Sequence, residues 1–187
     1  MTSANTGPGP FRGLVLGVGN LLLQDEGVGI HVVRAVVRAA ETPEGALPAG
    51  TRVVDGGTLG LDLLPLLGES DAVVIVDAAN LNREPGTIAV LRGDDLASVI
   101  AGHLSPHQVG IGDLLAVARL AGSLPEQVSL VAIQPADIAP GIELTPDVAA
   151  ALQQAVETVC AECWDQARME LPGRTARPAG PAVPVLG

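Results

Sequence analysis

The chain reads as one α/β domain of three layers, a central, mostly parallel twisted sheet of about five strands flanked by helices. Three observations predict it. Short β-branched runs alternate along the chain with stretches of helical periodicity. One of these runs, Ala72-Val73-Val74-Ile75-Val76-Asp77, is apolar almost throughout, as a central strand covered on both faces must be. And 48% of the 187 residues are hydrophobic while only 1% are aromatic, so one aliphatic core of Leu, Val, Ile and Ala can be built.

Residues 1–12 are small and polar and read as a flexible tail ahead of a domain over 13–168. The first strand is Leu14–Val18, and a helical pattern through Val32, Val33, Val36 and Val37 follows over Gly27–Glu41. Thr51–Asp55 is the second strand, Leu59–Leu67 a Leu-rich helix and Ala72–Asp77 the third strand. Thr87–Leu91 and Gln127–Ile133 complete the sheet, with helices predicted over Pro106–Ala121 and Pro146–Trp164. Beyond them, 169–187 carries Pro172, Pro178, Pro181 and Pro184 among Gly and Ala and reads as a disordered tail.

Composition removes several function classes. The net charge is −11 and the chain has no Lys, so an acidic protein without a basic patch or aromatic platform is not expected to bind nucleic acid. No apolar run approaches the ~20 residues that span a bilayer, and Met1–Pro10 lacks the basic and apolar parts of a signal peptide. No membrane contact and a cytoplasmic location are the expectations. The two cysteines, Cys160 and Cys163, form one C-x-x-C inside a helical stretch; without a second pair they read as small residues on a helix face.

The chemistry gathers at strand ends. In Gly17-Val18-Gly19-Asn20-Leu21-Leu22-Leu23-Gln24-Asp25-Glu26-Gly27-Val28-Gly29, two carboxylates stand where a strand hands over to a helix. Ligands collect at that edge of open α/β sheets, and a helix N-terminus favours an ionised carboxylate. Acidic residues in a first turn also serve simply as caps. A dinucleotide fingerprint is not complete here, because Leu22 replaces the third glycine of G-x-G-x-x-G. Asp77 ends a buried strand, which would hold it rigidly at the sheet's edge. Asp55, followed by Gly56 and Gly57, has the same setting and also fits an Asx turn. Ser105-Pro106-His107-Gln108 reads as a capping box with Pro at the first helical position, placing His107 in a first turn where the helix dipole keeps its imidazole neutral.

Taken together and in order, these pieces resemble the endopeptidases that mature the large subunit of nickel–iron hydrogenases. The matching segments are Gly17–Asn20 through Asp25–Gly29, Val54–Thr58, Ile75–Ala78, Pro85–Thr87, Ser105–Gly110, Gln134-Pro135 and Leu144–Pro146, covering about Gly13 to Trp164. The resemblance implies that Glu26 and Asp77 are the metal-recognising carboxylates and His107 the imidazole. Such an N/O set suits a borderline divalent metal. It also implies that nickel arrives in the substrate, that the enzyme keeps no tightly bound metal or organic cofactor, and that the reaction removes a C-terminal extension from the large-subunit precursor. A monomer is expected. The alternative is a non-catalytic nickel-sensing module for the same precursor.

The peptidase chemistry itself is not legible in the motifs. H-E-x-x-H and G-x-S-x-G are both missing, which leaves a metal-polarised carbonyl and a carboxylate-activated water. Asp77 and Asp55 are the candidate bases. Both Glu26 and Asp77 are expected to be ionised at neutral pH.

Overall fold

In a computed structural model of the chain, which describes residues 10–102 and 110–170, the sheet forms as expected. Its strands are β1 (Gly13–Val18), β2 (Arg52–Gly57), β3 (Ala72–Ala78), β4 (Ile88–Arg92) and β5 (Gln127–Ile133). They lie in the order β2-β1-β3-β5-β4, all parallel except β4, which runs antiparallel to β5. The chain leaves β1 for β2 on one side and enters β3 on the other. The topological switch point, where α/β sheets open a crevice for ligands, therefore lies at the carboxyl ends of β1 and β3.

Helices α1 (Val28–Ala39) and α5 (Pro146–Glu170) cover one face, while α2 (Leu64–Gly68), α3 (Gly93–Gly102) and α4 (Ile111–Leu120) cover the other. Alternation along the strands divides the core accordingly. Val15, Val53, Val74, Val76, Val131 and Ile133 meet α1 and α5, whereas Leu14, Leu16, Val73, Ile75 and Leu130 meet Leu63, Leu67 and Leu114. The two side-chain directions of a strand thus fill two separate cores. Pro146 opens α5 in the position where its missing N–H costs nothing.

Several boundaries differ from the sequence reading. Phe11 is buried against Ala72 and Ala167, and Arg12 donates from its backbone N–H (2.9 Å) and Nε (3.1 Å) to the Asp71 carboxylate, so ordered packing begins before residue 13. At the other end α5 runs on to Glu170 rather than stopping at Trp164. The Leu-rich segment divides into a 3-10 turn, Gly60–Leu63, and the short α2. Helix α3 was not anticipated; its signal is Asp94 and Asp95 in a first turn after Gly93, whose φ of 51° ends the preceding strand. The helix predicted over Pro106–Ala121 begins at Ile111, because Gly110 is extended and acts as its N-cap, donating its N–H to Asp113 at 3.2 Å. The remaining tail residues, 1–9 and 171–187, lie outside the described residues.

Candidate functional site

The turn after β1 places the first carboxylates. Gly19 has a φ of 139°, and a Cβ there would lie 1.9 Å from the Glu26 carbonyl oxygen. Only glycine lets the chain fold back so closely. A single 3-10 turn, Gln24–Gly27, then leads into α1. Gly29 brings that helix against the strands: a Cβ would sit 2.2 Å from the Val76 carbonyl and 2.3 Å from that of Val18. The start of α1 is thereby fixed over the carboxyl ends of β1 and β3, with Glu26 beside it.

Asp25 and Glu26 have separate jobs despite being neighbours. Asp25 is fully buried and accepts four hydrogen bonds, from the N–H groups of Ala136 (2.9 Å), Asp137 (3.1 Å) and Thr145 (2.8 Å) and from the Thr145 hydroxyl (2.8 Å). Burial alone pushes its carboxyl up, but the donors from Thr145, Ala136 and Asp137 outweigh it and hold the group below the usual value. Asp25 is therefore a clamp that ties the 136–145 segment to the β1–α1 turn. Two backbone bonds strengthen the tie: Gln24 N–H to the Gly141 carbonyl and Gly141 N–H to the Leu22 carbonyl, both 2.9 Å. The sequence placed Asp25 correctly and carried no hint of this role. Its partners lie more than a hundred residues away, and only Leu144-Thr145-Pro146 marked them.

Glu26 has the opposite environment. Its Oε2 is buried and has no hydrogen-bond partner among the described residues, and burial raises its pKa. Asp77 faces it from the end of β3. Burial pushes Asp77 up to about 8; the Ala78 N–H, donating at 2.8 Å, opposes the rise and the nearby charge of Glu26 adds to it. At neutral pH and without a cation, Asp77 is thus largely protonated, which corrects the expectation that both carboxylates are ionised.

Both groups line a cleft of about 500 Å³ at the switch point. Its walls are Gly19 and Asn20 on one side, the segment Gly57–Leu63 on another, and Gly110, Ile111 and Leu114 at the start of α4. Asp62 also lines it and was not singled out in the sequence.

Other predicted residues fall elsewhere. Asp55 does not line the cleft: its Oδ2 accepts from Arg34 on α1 at 2.9 Å, and its Oδ1 accepts from the Gly57 N–H at 3.2 Å, the Asx-turn alternative. His107 lies outside the described residues, and α4 starts after it, at Ile111. His31 is half-buried on α1, its pKa lowered by burial and by Arg34 and Arg38. Cys160 and Cys163 are free thiols on α5, both with pKa values raised by burial. Among the described residues no three His, Cys, Asp or Glu side chains form a metal-holding group. No described helix is long and apolar enough to cross a membrane.

Comparisons with known proteins show the family of the chain. The family model for hydrogenase maturation protease matches residues 30–162. The Hydrogenase 2 maturation protease of Escherichia coli K12 is 38% identical over 152 residues, 81% of this chain and 90% of its own. The hydrogenase expression/formation protein HupD of Rhodobacter capsulatus is 44% identical over 149 residues, 79% of this chain and 69% of its own. Among solved structures, the hydrogenase maturating endopeptidase HybD from E. coli superposes with a TM-score of 0.71 at 37% identity, covering 90% of this chain and 98% of its own. A cleft with two under-solvated carboxylates at the switch point of this α/β fold, together with these matches, makes the chain a member of the hydrogenase maturation protease family and a peptidase.

Proposed function

We propose that this endopeptidase removes the C-terminal extension from the precursor of a nickel–iron hydrogenase large subunit after nickel insertion, and that Glu26, Asp77 and His107 recognise the nickel the precursor carries. The observation that supports it is the state of the two carboxylates. Glu26 Oε2 is buried without a partner among the described residues and Asp77 is raised to about 8. Among the described residues no Arg lines the cleft to neutralise them. A buried carboxylate without a partner is costly, and a cation relieves that cost. Carboxylate and imidazole ligands suit nickel, and open coordination positions leave room for the precursor's own ligands.

In this reading the metal belongs to the substrate and acts as its anchor. Its charge beside Asp77 favours the ionised carboxylate, so the proton held in the resting site is released on docking. The anchored extension then lies near a base. Asp77 takes a proton from water as the water oxygen attacks the scissile carbonyl, and gives it to the leaving amine as the C–N bond breaks. Asp55, committed to Arg34, has no part in this step.

The test is mass measurement of precursor incubated with the pure protein, nickel-loaded against nickel-free. Shortening of the loaded precursor alone is the expected result. Equal shortening of both leaves a plain peptidase without metal recognition, and a stable complex with no shortening leaves a binding module.

A further inference from the structure

Large aliphatic side chains exposed to solvent are gathered at one end of this molecule. Among the described residues, Leu22, Leu59, Leu61, Ile138 and Ile142 are exposed, by 66%, 56%, 43%, 57% and 72%. Leu59 and Leu61 are walls of the cleft itself. Leu22 and Ile142 adjoin the backbone bonds that join the two loops, and Ile138 follows Asp137, whose carbonyl accepts the Asp25 N–H at 3.2 Å. All five therefore surround the end of the sheet where Glu26 and Asp77 lie. The other two exposed large apolar residues, Leu120 and Met169, are at the far ends of α4 and α5. Single exposed leucines are ordinary, whereas several gathered at one end of a molecule mark an interaction surface.

This collar is also held rigid. The Asp25 carboxylate fixes the 136–145 segment with four hydrogen bonds, so Ile138 and Ile142 are presented on a braced loop. Pre-ordering of that kind lowers the entropy lost on association. Its charge is one-sided: segments 20–26, 57–63 and 135–145 contain Asp62, Asp137 and Glu143 as well as the acidic residues already described, and no Arg.

We propose that the aliphatic collar is the docking surface for the precursor, and that it takes an apolar polypeptide segment bordered by basic side chains. The proposal rests on the function proposed above and adds what holds the substrate apart from its metal. Apolar contact supplies affinity, the acidic rim sets orientation, and closure over the cleft removes water from Glu26 and Asp77.

The experiment measures processing of nickel-loaded precursor by the double variant Ile138→Ser/Ile142→Ser, with Leu120→Ser as control. The double variant should raise KM at least tenfold, leave kcat within about twofold, and melt at the wild-type temperature, while Leu120→Ser changes neither constant. A double-variant KM within twofold of wild type, or an equal rise for Leu120→Ser, overturns the proposal. A photoreactive residue at position 138, compared with one at 120, gives a readout that needs no cleavage. A crosslink to the precursor from 138 alone is expected, and none from 138, or equal yields from both, counts against docking. If the protein crosslinks through 138 but never shortens the precursor, the peptidase mechanism fails and the docking surface stands. If it shortens the precursor with no 138 crosslink, the peptidase mechanism stands and the docking surface fails.

Discussion

Asp25 and Asp77 stand at the same edge of the same sheet, and the fold treats them in opposite ways. Asp25 is wholly buried, meets four donors and is held below its ordinary pKa. Asp77 meets the N–H of its own neighbour, Ala78, faces Glu26 and is pushed up to about 8. Burial raises both; the supply of donors and the neighbouring charge of Glu26 separate them. A carboxylate with four donors holds structure together, and a buried one with a single donor favours a cation or a proton.

Removing the satisfied group should have the largest effect. Asp25→Ala strands three backbone N–H groups and a hydroxyl away from water, and we expect a loss of about 3–5 kcal/mol in urea unfolding. A loss below ~1 kcal/mol would mean that the clamp is not holding the 136–145 segment. Glu26→Gln should do little to stability, since its Oε2 has no partner to lose. Processing of nickel-loaded precursor should nevertheless fall by at least about 100-fold, or ~2.7 kcal/mol in the barrier. Near-wild-type turnover would remove Glu26 from the site. Asp55→Asn should be the mildest change: its partner Arg34 is half-exposed, so the expected cost is below ~1 kcal/mol, with processing within about threefold of wild type. A larger loss of activity without unfolding would return Asp55 to the machinery.

The same contrast explains what the sequence revealed. All five strands were legible because β-branched runs end in turn residues, and Glu26 and Asp77 could be placed because one stands at a strand-to-helix handover and the other ends a buried strand. The partners of Asp25 were not legible. All four of its donors lie in one loop and three of them are backbone N–H groups, so nothing in their side-chain types announces where they point. Helix α3 was missed because its first turn, Asp94 and Asp95, looks like solvated loop until Gly93 is seen to end the strand. The ionisation of Asp77 depends on depth in the cleft, which strand position alone does not give. The segment Ser105–Gln108, with its capping signal, lies outside the described residues, and the cap of α4 is Gly110, an ordinary glycine in the sequence.

The central claim is that Asp77 is kept buried with few donors for function at the expense of stability, and Asp77→Asn tests it most directly by melting temperature and processing in one protein. Asp77 titrates near 8 in the fold, against about 3.9 in an unfolded chain. Below pH ~4 the carboxyl is neutral in both states and burdens neither; as pH rises toward 8 the unfolded chain ionises first, so the wild-type fold loses stability progressively until the penalty levels off above 8. The neutral amide escapes this. The variant should therefore match wild type near pH 4 and exceed it at pH 7 by on the order of 1–3 kcal/mol, discounted for solvent in the cleft. That corresponds to roughly 3–10 °C. Processing of nickel-loaded precursor should be lost in the same protein. A variant that melts at or below the wild-type temperature at pH 7 and still shortens the precursor would contradict the account.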